Sequence, residues 1–437
     1  MRIAALLALP FLACAGSAEP RSGTQSALAT PVTPEAPVTP QAPPIPAFVV
    51  HEWGTFTSVM DKTGEPLPGL HIEEEGLPPF VHGRCDSGPV CLTVGDKDLE
   101  SLPEAVTQKL ETPVLFFYSD TPKTVRVTVD FPDGIISQHF PRASAFAPAV
   151  GAMDGIRDGA MSWEVQLDPA IPLDTFPWVP ADDIWAPSRL VAATPLRVGD
   201  EHERFIFYRG LGRFTPPMRI TTQGTQATFH NDSADAIAAA FHLRLDPDGS
   251  GHWQRLGAIA PRSSTTFETS KPGAPGSSGS DPRSGNAHLD DARADLISAL
   301  TDSGLRPDEA LSMVDTWSHS YFQSTGTRVL YIVPSRWTDS LLPIAIDPPP
   351  DELVRTLVGR VEIFSDADES ALMDRFASAW NTESAAPGAL DATYQQLGRF
   401  AAPHLYRLAQ VAATRSDVEG LSAWLMARYD EACMARF

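Results

Sequence analysis

The amino-acid sequence predicts an α+β protein: a β-sandwich-rich front region with immunoglobulin-like elements, then mixed α/β sequence, then an all-helical C-terminal region. Three observations carry that expectation. Residues 48–270 hold short β-branched and aromatic runs separated by polar turns at regular spacing. A Gly/Ser/Pro-rich stretch, KPGAPGSSGSDPRSGN (271–286), then breaks the chain. Beyond it the apolar residues shift to helical spacing.

The elements follow in order. FVVHEWGTFTSVM (48–60) is strand-like and closes on the turn sequence DKTGE. TVRVTVDF (124–131) alternates apolar and polar residues, PDG turns, and IISQHF follows, which reads as a hairpin. SWEVQLD (162–168) and RFIFYRGLGRF (204–214) are further strands. Between Thr228 and Phe267 the runs AIAAAFHLRL, HWQRLGAIA and STTFET are set off by Asn-Asp and DPDGSG turns. After the break, Leu289, Ala292, Leu296 and Leu300 share one helical face, and Gly304 is placed to stop that helix. Pro307-Asp308-Glu309 opens another helix, with acids suited to its N-terminus. RVLYIVP (328–334) and VEIF (361–364) read as strands, and the chain after Ser365 as helical, with Pro403 forcing a break.

The expected organisation is therefore a leader at 1–18, a tether at 19–47, a β-rich domain at 48–270, a loop at 271–288 and a helical domain with short strands at 289–437. In the leader, Met1-Arg2 supplies a positive start, and Ile3 to Ala13 is apolar but too short to span a bilayer. Phe11-Leu12-Ala13-Cys14 resembles a lipobox, while Gly16-Ser17-Ala18 would also serve ordinary signal cleavage. The Pro-rich stretch behind it is an extended spacer of up to ~3.1 Å per residue, as a lipid-anchored protein needs. The expectation is an exported envelope lipoprotein, periplasmic or on the cell surface, alternatively secreted and soluble.

Composition narrows the partners. A formal net charge of −22 over 437 residues argues against nucleic acid, and equally against electrostatic docking on anionic lipid. Membrane contact is expected only through a lipid anchor at Cys14. Cys85 and Cys91, in CDSGPVC, suit a local disulfide of an oxidising compartment, contributing roughly 2 kcal/mol. Cys433 reads as a buried free thiol.

No nucleophile elbow, His-Glu-x-x-His, P-loop or dinucleotide fingerprint is present. DPDGSGHW (246–253) begins like a calcium loop, but Gly257 stands where the bidentate Glu belongs, so a hairpin turn is the better reading. The densest set of metal-ligand types is His51, His71, Glu73 and His82, with Glu74 and Glu75 adjoining. Three of the chain's 11 histidines fall between positions 51 and 82. Imidazole and carboxylate suit one divalent transition metal, zinc, copper or iron. His51 and Glu52 point to opposite sides of a regular strand, so Glu52 would act from beside the metal as general base. The plainer alternative is a solvated acidic run and hydrogen-bonded histidines.

Trp163, Phe176, Trp178 and Trp185, with Asp182, Asp183 and Arg189, form an aromatic constellation that suits either sugar stacking or a loop-rich core. Asp315 and His319, four apart, could pair on a helix.

The blocks HEWGTFTSV (51–59), ETPVLFFYS (111–119), FIFYRGLGRF (205–214), EALSMVDTW (309–317), LYIVPSRWTDSLLPI (330–344) and LVRTLVGRVEIF (353–364) together resemble a family of large exported bacterial proteins whose folded part opens with an HEWGTF segment. The resemblance implies export and spans nearly the whole mature chain; it brings no activity and no catalytic residue. Two functions follow as expectations: a metal-dependent envelope hydrolase or oxidoreductase, or a non-enzymatic module that holds polysaccharide or envelope proteins.

Overall fold

A computed structural model describes residues 47–70, 76–83, 106–149, 155–269, 287–384 and 386–434. The leader, the tether up to residue 46, both cysteines of the expected disulfide and most of the 271–288 loop lie outside these residues. These described residues belong to one compact unit.

Among the described residues, strands numbered along the chain form three sheets. The largest has nine, in the order β14 (Gly251–Ile259), β13 (Ile237–Leu245), β16 (Gly326–Ile332), β18 (Glu352–Ile363), β1 (Phe48–Met60), β3 (Gln108–Ser119), β10 (Phe205–Gly212), β5 (Gly134–Phe140) and β2 (His82–Gly83). A second sheet runs β17 (Ile344–Asp347), β4 (Lys123–Phe131), β7 (Gly159–Leu167), β8 (Leu196–Val198) and β9 (Glu201–Glu203), with β6 (Ala145–Ala147) on β7. The third is β11 (Met218–Gln223), β12 (Gln226–Asn231) and β15 (Ser263–Glu268).

Both faces of the large sheet are covered. One packs on the two smaller sheets through Val50, Phe56, Val127, Phe131, Trp163 and Phe229 among others. The other packs through Trp53, Phe116 and Leu330 on α2 (Ala287–Asp302) and α3 (Pro307–Thr316). A third core joins the ends of β1 and β10 to the C-terminal helices α5 (Asp366–Thr382), α6 (Ala389–Tyr394), α7 (Ala401–Ala412) and α8 (Leu421–Met434). The mixed architecture with a helical C-terminus is thus as the sequence suggests.

Several local signals act as read. Gly304 ends α2 at φ +108°, Pro307 is the first residue of α3, and the Ser365 hydroxyl caps α5 by accepting from the Asp368 N–H. Pro403 sits in the first turn of α7, where its missing N–H costs nothing, and the helical region breaks both before α7 and again between Ala412 and Leu421. Asp246–Ser250 is a hairpin turn, with Gly249 at φ +79° and the Asp246 N–H donating to the Ser250 carbonyl.

Two expectations are corrected. TVRVTVDF and IISQHF are not a hairpin: β4 lies in the second sheet and β5 in the first. The PDG turn carries the chain across the core, where the Phe131 ring fills the space that a side chain on Gly134 would take. The 271–288 loop does not divide two domains either. β16 and β18, from beyond it, lie inside the large sheet between β13 and β1, and β18 pairs parallel to β1 along twelve residues. One sheet therefore unites both halves.

Candidate functional site

All thirteen residues of β1 are buried, because its neighbours and the layers on both faces leave no solvent side. Buried polar groups need partners, so His51, Glu52 and Thr57 must each be satisfied within the fold. Their partners define what they can do.

His51 turns to the helical face. Its Nδ1 lies 2.8 Å from Oε2 of Glu309, which is the third residue of α3 and also accepts from the Arg306 N–H at 2.7 Å. The Tyr118 hydroxyl donates to the other Glu309 oxygen at 2.5 Å. Burial, then the adjacent Glu309 charge, pushes that hydroxyl far above its ordinary range. The Arg306 guanidinium lies over the Tyr118 ring, 3.4 Å from its centroid.

Glu52 turns the opposite way, as alternation along a strand requires. Its Oε2 accepts from Arg355 Nε at 2.6 Å, and Oε1 accepts from the Tyr208 hydroxyl. Glu52 and Tyr208 are fully buried, and the Arg355 side chain is 4% exposed. Burial alone would lower the Arg355 pKa, but Glu52 outweighs it and holds the guanidinium charged. The Tyr208 hydroxyl is raised by burial and by Glu52, so the proton stays on the phenol. A carboxylate locked between a guanidinium and a phenol is an ion-pair anchor with no open face for a substrate.

His82 is at the far edge of the sheet. Arg142 Nη2 donates to its Nδ1 at 3.0 Å, leaving Nε2 to donate to Glu201 at 2.7 Å. From β1 to β2 the order passes through β3, β10 and β5, four strand spacings or roughly 19 Å. One ion cannot take both His51 and His82, since metal–nitrogen bonds are about 2 Å long. His71 and Glu73 lie outside the described residues. Among the described residues no three His, Cys, Asp or Glu are grouped to hold a metal.

Asp315 and His319 do not form the expected pair. Arg293 Nη2 donates to Asp315, and α3 ends at Thr316, before His319.

A second buried network was not anticipated. Glu111 accepts from Thr57 (3.1 Å), Tyr321 (2.7 Å) and Arg399. Glu362 accepts from Arg360 Nε at 2.7 Å and is 3.0 Å from Arg328 Nε. Arg360 lies on the Tyr321 ring at 4.3 Å. Burial would raise the Glu111 carboxyl, but Arg399, Lys109 and Arg360 overcome it and hold it far below the usual range. The network ties β1, β3, β16 and β18 to the helical end. Its sequence signal is Arg360 and Glu362 inside an otherwise apolar run.

The aromatic constellation separates into core and surface. Trp163 is fully buried and donates from Nε1 to the Pro141 carbonyl at 2.9 Å. Trp185 is buried against Phe80, Phe140, Phe205 and Phe207. Trp178 is 82% exposed.

The loop that carries Trp178 is firmly held. Glu203, fully buried, accepts from Trp185 Nε1 at 2.9 Å and from Arg189 Nε and Nη2 at 3.0 and 2.6 Å. Arg189 lies over the Phe176 ring at 5.7 Å. The Thr175 hydroxyl donates to the Pro172 carbonyl, and Asp183 accepts from the Trp185 N–H at 2.8 Å. At the end of the loop, the Thr194 N–H donates to the Phe117 carbonyl of the large sheet. Asp182 stands exposed and Asp183 half-buried beside the anchored end.

No family model and no curated protein matches the chain. Among solved structures it is similar to the yeast delta-COP-I mu-homology domain, at 8% identity over 74% of this chain and 98% of that chain. The TM-score is 0.25.

Proposed function

We propose that the protein is an exported, envelope-tethered binding module that holds polysaccharide through the 168–194 loop, with Trp178 as the stacking ring. The observation that carries this reading is Trp178 itself: a large ring, 82% exposed, on a loop pinned by the buried Glu203. Leaving such a side chain in water forgoes on the order of 2–3 kcal/mol of burial, which the apolar face of a sugar ring would recover. Pro172, Pro177 and Pro180 restrict the loop, so little further ordering is needed on binding. Asp182 and Asp183 supply acceptors for sugar hydroxyls nearby in the chain.

Against an enzymatic reading, His51 Nδ1, both Glu52 oxygens and both His82 ring nitrogens already meet protein partners. Their arrangement favours roles in holding the sheets together. We read the facing sheets, antiparallel apart from the β1–β18 pair, as the immunoglobulin-like elements of a sandwich, and Cys14 with its Pro-rich spacer as the lipid tether. Titration of the protein with soluble cell-wall glycan fragments tests the binding role. Removing a central Trp typically costs at least about 2 kcal/mol. At 1.4 kcal/mol per decade, Trp178→Ala should weaken binding roughly 30-fold. Equal affinity in the two proteins would remove Trp178 from the site.

A further inference from the structure

The large sheet has an opening one strand wide. β16 stops at Ile332 because Pro334 has no N–H to continue a ladder, and the chain turns there into α4 (Ser335–Leu341). The last bond on that side runs from the Val333 N–H to the Leu357 carbonyl, at 2.8 Å. β18, however, continues another five residues, from Thr356 back to Glu352, with β1 on its other side throughout.

Backbone groups alternate along a strand. Since the Leu357 carbonyl faces β16, the N–H and C=O of Arg355 and Leu353 face the same side, beyond the point where β16 has ended. Val354 and Thr356 face β1. Across the opening stand Ala236 and Ala238, whose small side chains are exposed. β13 and β18 are each one spacing from β16, so beyond its end they are separated by about 9.6 Å, which one strand fills. The resulting cavity measures about 350 Å³ and is also lined by Ser303, Val333 and Ser335. Leu353, 42% exposed, is an apolar residue on the unpaired stretch.

We propose that this slot binds the end of an extended polypeptide, which enters as a short continuation of β16 and hydrogen-bonds the open edge of β18. A ligand here must offer donors and acceptors that alternate at the strand repeat, one spacing from β18, and that is the chemistry of a peptide backbone. At about 3.3 Å per residue, three residues would pair with Leu353–Arg355. Recognition through the backbone makes the site tolerant of sequence, with small side chains favoured beside Ala236 and Ala238. The site is separate from the Trp178 loop.

The test is selection of a displayed random tetrapeptide library on the whole protein. Leu353→Pro removes one donor without breaking a bond to β1, and Ala238→Trp fills the slot from the opposite wall. Enriched peptides are expected to lose at least tenfold in affinity for each variant, and a similar factor when their alternate amides are N-methylated. In wild-type protein, hydrogen exchange should show the Leu353 and Arg355 amides slowed by saturating peptide. Failure of any peptide to enrich overturns the proposal. So does equal affinity for wild type and Ala238→Trp, the variant whose exposed position leaves the core untouched.

Discussion

Replacing Glu52 by Gln keeps the shape of the side chain and removes one buried charge. In the native fold the Glu52 carboxylate holds the Arg355 guanidinium at 2.6 Å, with both side chains at most 4% exposed. The other counter-charge, Asp339, sits 3.1 Å away with its side chain 64% exposed, so solvent screening leaves it little compensating power. Arg355 Nη2 has no hydrogen-bond partner among the described residues. Glu52→Gln therefore leaves a buried cation without an adequate partner, a change that costs about 3–5 kcal/mol. The Tyr208 hydroxyl can still donate to the Gln oxygen, so loss of the ion pair accounts for the effect. Urea unfolding followed by tryptophan fluorescence reads this as a lower midpoint at unchanged slope. The triple variant Glu52→Leu, Arg355→Met, Tyr208→Phe removes every member of the set and should recover most of the loss. A loss below about 1 kcal/mol for Glu52→Gln, or a triple variant no better than the single, would refute the reasoning.

Other outcomes follow from the same geometry. His242 and His404 are held neutral, their pKa values lowered by burial to about 3 and about 4 from an ordinary 6.5. The unfolded chain binds these protons first, so their contribution is complete above pH 6.5 and is lost as pH falls toward 4. Each should steepen acid destabilisation by up to about 1.4 kcal/mol per pH unit, and His242→Leu should remove one share of that slope in unfolding measured between pH 7 and 4. For the tether, Cys14→Ser expressed in the host should move the protein from membrane to soluble fractions. Wild-type protein recovered freely soluble, starting near Gly16 or Glu19, would contradict lipidation.

Local chemistry in this chain was readable, and long-range pairing was not. Gly304, Pro307 and Ser365 mark helix ends by what their own backbones and side chains can do, so the sequence suffices. The hairpin reading of 124–140 failed because Pro-Asp-Gly suits a change of sheet as well as a tight return; the deciding contact is the Phe131 ring against Gly134. The domain boundary failed for a similar reason, since nothing local says that 352–363 pairs with 48–60 across three hundred residues. In the candidate site, alternation correctly separated His51 from Glu52. Closeness in sequence did not bring His51 and His82 together, because β2 joins the sheet four places from β1. Arg355 and Glu309, which occupy the two β1 side chains, lie 303 and 258 residues from them. Trp178 could not be told from Trp163 and Trp185 by composition; only burial separates them.

Trp178 is proposed as the polysaccharide contact. Its most direct test is co-sedimentation of the purified protein with insoluble cell-wall glycan, comparing wild type with Trp178→Ala in low and high salt. Stacking on a sugar face involves no net charge, so wild type should pellet with the glycan under both conditions. Trp178→Ala, altered at an 82% exposed position that leaves the fold intact, should stay in the supernatant. If both proteins pellet equally, or if wild type does not pellet at all, the account is contradicted.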